Sequence, residues 1–146
     1  MTLPTRRVSP EQINTEIAAA FPHASSVECI ELGPTFALVR RSINQLEYRP
    51  GGFVSGPTQF ALADSALWYL TFGVIDRIEL MALTSDLDIS FVRPATGETL
   101  WARAELLSAG SRKILGSVKL WCDDQTDRPC SVAKGTYVLP SGSARS

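Results

Sequence analysis

A chain of 146 residues that is 45% hydrophobic and 20% charged carries enough apolar material for one packed core without disulfides or a structural metal. Its 14 Lys and Arg against 15 Asp and Glu give a formal net charge of -1, so nothing draws it in general to nucleic acid or to an anionic membrane surface. So small a net charge also does little to oppose self-association.

Residues 1–8 are polar and read as loose chain. The opening MTLPTRRVSP has no apolar leader, and nowhere do about 18 apolar residues run together. The expectation is a cytoplasmic protein, neither exported nor membrane-spanning. A first helix is expected from Ser9, with Pro10 at its first helical position and Gln12 completing a capping-box pattern. Ile13, Ile17 and Phe21 give it an apolar stripe, and Pro22 ends it. Strand-like text follows over 27–32 and 36–43, turned at Gly33 and Pro34, with a shorter piece around 46–48.

RPGGFVSGP, residues 49–57, is a dense Gly/Pro cluster. The helix expected over 58–72, TQFALADSALWYLTF, is apolar nearly all round, which marks a buried helix, and Gly73 closes it. The rest reads as β. Leu87, Ile89 and Phe91 alternate with Asp86, Asp88 and Ser90, a turn follows at 94–97, and 100–108, 113–122 and 131–139 alternate in the same way. Links as short as AGSR and DDQTDRP imply antiparallel pairing. The tail over 140–146 reads as disordered. A helix apolar on nearly every side has to be wrapped, and the long antiparallel sheet is the only large partner available. The spacing predicts an α+β hotdog fold, a sheet curled around one central helix, as a single domain over 1–146.

The usual catalytic equipment is thin. Cys29, Cys122 and Cys130, without CxxC spacing, read as packed, reduced thiols and not as a disulfide framework or a zinc site. His23 is the only histidine and reads as a surface or loop residue; a Ser-His-Asp triad or Cys-His dyad would rest on it alone. No metal site is expected. PGGFVSG lacks the lysine and spacing of a phosphate loop. It does deliver the chain into a helix N-terminus, where unpaired N–H groups and the helix dipole favour negative charge. As plain structure it is a turn and cap, with Ser55 as N-cap and Pro57 in the first turn.

Asp64 shifts that balance. Its helical neighbours three and four positions away are Phe60, Ala61, Leu67 and Trp68. A carboxylate on such a face loses solvation, at a cost of several kcal/mol unless it is paired or hydrogen-bonded. It is either satisfied structurally, by a hydroxyl such as Ser65 or by an Arg, or kept for chemistry.

SGPTQFALADSA, with MALTSDLDISFVRPATGETLWARAELLSAGSR behind it, resembles hotdog-fold acyl-CoA thioesterases of the phenylacetic-acid-degradation type. In that family a turn of the form N-x-x-G-x-x-H-G-G leads into the buried helix, and an Asp lies eight residues after the first Gly of the HGG. Gly52, Gly56 and Asp64 match that pattern, and the likeness runs over residues 48–137. The resemblance implies that the Gly56 N–H is the oxyanion donor and that Asp64 activates water or attacks directly. It implies that Thr84 supplies a hydroxyl that helps to position the water. The substrate it implies is an acyl-CoA, with coenzyme A as part of the substrate and no separate cofactor.

The spacing adds a geometric condition. Eight residues of helix span about 12 Å, whereas a carbonyl must sit within roughly 3 Å of its oxyanion donor while the catalytic group reaches the same carbon. Gly56 and Asp64 of one helix therefore cannot serve one substrate. The pair has to come from two chains facing each other across a two-fold axis, so a homodimer with two equivalent sites is expected. The family is built that way, often as a dimer of dimers.

Ser55 stands where the family has His, Arg49 where it has Asn, and Pro57 replaces the second Gly. The usual Asn and His orient the thioester and the water, so these departures bear on rate and substrate class. They leave open a hotdog protein that binds acyl-CoA without turning it over; a dehydratase, which generally uses a catalytic His, is weaker. Pro57 has no N–H, which leaves Gly56 as the donor. For the coenzyme A end, Arg93, Arg112 and Lys113 suit phosphates, with Arg49 nearer the pocket mouth. Gly52 and Ser55 belong to the same turn, and Trp68, with Tyr69 and Phe72, lines either an acyl pocket or the core.

Overall fold

The computed structural model describes residues 6–22 and 27–142; His23 lies outside them. Helix α1 (Pro10–Ala20) starts where Ser9 Oγ accepts the Gln12 N–H at 3.1 Å, and Ile13 is its fully buried anchor. Strands β1 (Glu28–Leu32) and β2 (Phe36–Ser42) form an antiparallel hairpin. A 3-10 turn, Gln45–Glu47, and a small ribbon of β3 (Tyr48–Arg49) and β4 (Phe53–Val54) lead into α2 (Gly56–Ile75). Then come β5 (Leu83–Phe91), β6 (Thr99–Ala109), β7 (Lys113–Cys122) and β8 (Ser131–Val138).

The main sheet is antiparallel throughout, in the order β1-β2-β6-β7-β8-β5. Helix α2 packs against every one of its strands, which is the hotdog arrangement. The period-2 pattern sets the inner face: Ala37 and Val39 of β2, and Leu100, Ala102 and Ala104 of β6, are buried while their neighbours face outward. Small residues let the helix come close. A Cβ at Gly116 would lie 2.8 Å from Leu67 Cδ2, and one on its register partner Gly135 would lie 2.9 Å from Leu67 Cδ1. Truncating Leu67 to Ala would empty that contact at a cost of about 2–5 kcal/mol.

Four details differ from the sequence-based expectations. Gly73 does not close α2; the helix continues to Ile75 and ends at Asp76 in the left-handed region, with φ 57. Gly73 serves packing instead, because a Cβ there would collide with the Gly33 carbonyl. The piece around 46–48 is wound and not extended before Tyr48: Asn44 Oδ1 accepts the Leu46 N–H at 3.0 Å, and Glu47 Oε1 accepts the Asn44 N–H at 3.2 Å. Arg6 to Val8 are fixed, not loose. The Arg7 and Val8 N–H groups donate to Asp76 Oδ1 at 3.0 and 3.2 Å, Arg6 reaches the Gly73 carbonyl, and Val8 is buried. Finally, β5 is the last strand of the sheet, so Leu83 and Phe91 stay 67% and 53% exposed despite the alternation around them. No helix among the described residues is long and apolar enough to cross a membrane.

Candidate active site

Glu47 builds the turn that carries Gly56. Its Oε1 takes the Arg41 guanidinium at 2.5 Å, its Oε2 accepts from Thr58 Oγ1 at 3.0 Å, and its backbone carbonyl accepts the Ser55 N–H at 2.9 Å. Arg41 sits at the end of β2 and is only 7% exposed, so this ion pair is largely desolvated. Ser55 caps α2: its Oγ accepts the Thr58 N–H at 3.3 Å and lies 2.8 Å from Thr58 Oγ1. The Gln59 N–H donates to the Ser55 carbonyl at 3.2 Å, and Pro57 has none to give. Among the described residues this leaves the Gly56 N–H as the uncommitted donor of the first helical turn.

A cavity of about 670 Å³ opens at this end, lined by Arg49, Phe53, Gly56, Gln59, Phe91 and Arg93 among others. Gly52, in the turn between β3 and β4, sits at φ +80, a conformation that favours glycine. A Cβ on Gly56 would stand 3.2 Å from Phe91 Cζ, so glycine keeps this approach open. Gln59 Nε2 donates to the Val54 carbonyl at 3.2 Å, and its buried Oε1 has no partner among the described residues.

Asp64 lies two turns along α2 and is half-buried. Neither Ser65 nor an Arg satisfies it. Instead Thr84 Oγ1 donates to Oδ1 at 2.6 Å, and the Tyr137 hydroxyl donates to the same oxygen at 2.8 Å while lying 3.1 Å from the Asp64 carbonyl. Thr84 of β5 and Tyr137 of β8 are cross-strand partners, so the sheet itself brings the two hydroxyls together. Burial pushes the Tyr137 phenol well above its ordinary value, so it stays protonated and a donor. Asp64 Oδ2 accepts no bond from the described residues.

The site residues expected from the sequence thus fall into two groups within one chain. Arg49, Gly56 and Arg93 line the cavity at the N-terminus of α2, Ser55 caps that helix and Gly52 lies in the turn before it, with Arg93 Nη1 donating to the Pro129 carbonyl at 3.0 Å. Lys113 begins β7 beside Val138, at the Asp64 end of the sheet, and Arg112 just before it donates its Nε to the Leu139 carbonyl at 3.0 Å. Trp68 joins Phe21, Tyr69 and Phe72 in an aromatic cluster one turn beyond Asp64. Its buried Nε1 has no acceptor among the described residues.

Tyr137, Glu47 and Arg41 were not legible as site residues. Tyr137 had a signal, since it occupies an inward position of β8 and a buried phenol needs a partner.

A model of the thioesterase superfamily matches residues 51–128, more than half of the chain. The chain belongs to the thioesterase superfamily. Within this superfamily member the matched span holds Gly52, Ser55, Gly56, Asp64, Thr84 and Arg93, whereas Arg49 and Tyr137 lie outside it. The structure is similar to that of a candidate thioesterase from Silicibacter sp. TM1040, 26% identical, over 93% of this chain and 94% of that one, with a TM-score of 0.80. It is similar in fold to a thioesterase from Haemophilus influenzae, 17% identical over 90% of each chain, with a TM-score of 0.74. The PaaI protein from the phenylacetic acid degradation operon of E. coli is 21% identical over 89% of this chain and 88% of that one, with a TM-score of 0.68. A comparison with curated proteins finds no match.

Proposed function

We propose that this superfamily member is an acyl-CoA thioesterase whose site is shared between the two chains of a homodimer. The observation that carries this reading is the pairing of an uncommitted Gly56 N–H with a carboxylate held through one oxygen only. Gly56 of one chain takes the thioester carbonyl, and Asp64 of the partner subunit stands opposite it. Asp64 Oδ2 takes a proton from water, the water oxygen bonds to the carbonyl carbon, and the oxyanion rests on the Gly56 N–H. Collapse breaks the C–S bond, and the leaving thiolate receives the proton. Direct attack by Oδ2, followed by hydrolysis of the acyl-aspartyl anhydride, reaches the same products. Coenzyme A enters as part of the substrate, and the scheme asks for no further cofactor.

The exposed edge strand supports the dimer. Strand β5 ends the sheet with unpaired backbone groups, and Leu80, Met81, Leu83, Phe91 and Phe60 beside it are exposed apolar side chains. Two such edges related by a two-fold axis would bring the Gly56 end of one chain to the Asp64 end of the other. Arg49 and Arg93 of one chain and Arg112 and Lys113 of its partner then flank one coenzyme A, with the acyl or aryl-acyl group toward Trp68. A dimer of dimers would keep the same sites.

One observation favours a second reading, a protein that binds acyl-CoA without hydrolysis. The Ser55 hydroxyl, where the resembling family has a His, is committed to the helix cap. Hydrolysis assays over a panel of acyl-CoAs separate the two. Turnover should fall about 10²- to 10⁴-fold in Asp64→Asn; turnover unchanged in that variant would remove Asp64 from the chemistry. A wild-type protein that is inert yet thermally stabilised by acyl-CoA would be the binding protein.

A further inference from the structure

We propose that Cys122 and Cys130 are a redox-active dithiol which a hydroperoxide converts to a disulfide, and that closing it alters the wall of the substrate cavity. The two residues flank the DDQTDRP turn between β7 and β8, and the hairpin register, which ends at Leu120 opposite Ser131, sets Cys130 beside the Trp121–Cys122 end of β7. Each thiol bears on the other's ionisation, and Cys130 Sγ donates to the Leu120 carbonyl at 3.6 Å. Both line a second cavity of about 330 Å³, with Arg93, Thr96, Gln125 and Arg128. A small peroxide can enter there although neither thiol is more than 4% exposed. The thioester chemistry uses neither of them.

The pair differs from the remaining thiol. Cys29 is buried apart from them, and its burial pushes it up to about 12. The neighbouring Cys122 thiol draws Cys130 below the ordinary thiol value, in the direction of the reactive thiolate. In the reaction the Cys130 thiolate attacks one peroxide oxygen; the O–O bond breaks, an alcohol or water leaves, and Cys130 becomes a sulfenic acid. Cys122 sulfur then attacks that sulfur, the S–S bond forms, and the expelled hydroxide takes the Cys122 proton as water. Two thiols are oxidised by two electrons and one hydroperoxide is reduced.

The same segment holds the substrate cavity. The Cys130 carbonyl accepts the N–H groups of Val92 and Arg93 at 2.9 and 3.2 Å, and Arg93 Nη1 donates to the adjacent Pro129 carbonyl. Arg93, Pro94 and Ala95 line both cavities, and the Ala95 carbonyl accepts the Val54 N–H at 2.8 Å, beside Gly56. A bond that moves Cys130 toward Cys122 therefore pulls on Arg93.

The test treats the full chain with hydrogen peroxide and maps its peptides without reduction. The expected result is a Cys122–Cys130 cross-link that dithiothreitol reverses, formed while Cys29 is still a free thiol. Oxidation of Cys29 at the same rate, or a Cys130 sulfinic acid with no cross-link, would overturn the proposal. The effect on the cavity rests on the thioesterase reading: KM for an acyl-CoA should rise about fivefold or more on oxidation and return on reduction. Cys122→Ala and Cys130→Ala should each abolish that response, and an unchanged KM in cross-linked wild type would refute the coupling. If no acyl-CoA is hydrolysed, the acyl-CoA-induced rise in melting temperature, before and after oxidation, replaces KM. The cross-link needs no substrate, so its failure and that of the thioesterase reading are read separately.

Discussion

The Tyr137 hydroxyl and Thr84 Oγ1 both donate to Asp64 Oδ1, at 2.8 and 2.6 Å, and so set the two oxygens of one carboxylate apart. Oδ1 is anchored to the sheet, and Oδ2, which accepts no bond from the described residues, is the oxygen that the proposed hydrolysis uses.

Tyr137→Phe keeps the buried ring and removes one anchor. A hydrogen bond to a charged group is worth about 1.5–3 kcal/mol, and if that holds the reacting carboxylate in place, kcat falls about 10- to 100-fold. KM should stay near wild type, because the ring is buried and its hydroxyl is bonded to Asp64 and not offered to substrate. Steady-state kinetics on both parameters is the check. Thr84→Val should act in the same direction, with Thr84→Ser restoring the rate.

Glu47→Ala is expected to destabilise the fold by about 3–5 kcal/mol, because it leaves the Arg41 guanidinium buried and unpaired. Denaturant unfolding measures it. The double variant Arg41→Met, Glu47→Gln should recover much of that loss, since no charge is then left alone.

Gly56→Ala keeps the N–H but brings a methyl group to 3.2 Å from the Phe91 ring. Its KM for acyl-CoA should rise while melting temperature changes little. Adding Phe91→Leu, which yields space at the same point, should bring KM back; a double variant no better than the single would place the cost elsewhere.

Asp76 ties the N-terminal segment to the end of α2. Burial opposes its ionisation, yet the Arg7 and Val8 N–H groups and the Arg6 charge hold it below its ordinary 3.8. A carboxyl depressed in the folded state stabilises fully above its unfolded value and loses that contribution as pH falls through the folded value. Asp76→Asn should therefore lower the melting temperature at neutral pH, and the gap from wild type should close only below about pH 4. A gap that is constant with pH would show that the charge does not matter there.

The hotdog architecture was legible because one helix is apolar on nearly every side and the strands after it alternate cleanly. Gly56 and Asp64 stood out as candidates from the turn and their spacing. What stayed hidden depends on tertiary registration. Tyr137 reaches Asp64 only because β5 and β8 pair Thr84 with Tyr137, 73 residues along the chain from that carboxylate. Glu47 read as part of a short strand, yet its side chain is the centre of the turn under Ser55 and Thr58. Gly73 read as a helix stop because a packing glycine and a capping glycine look alike until the neighbouring Gly33 carbonyl is placed.

The central claim is that Gly56 and Asp64 act together only across two chains. Mixing Asp64→Asn with Gly56→Val, a variant whose side chain fills the approach beside Phe91, tests it most directly. Each inactive parent should fold and dimerise. A mixed dimer holds one site with both native residues and one with neither, so it should recover about half the activity of a wild-type dimer. Mixed dimers that form but stay as inactive as their parents would contradict the shared site.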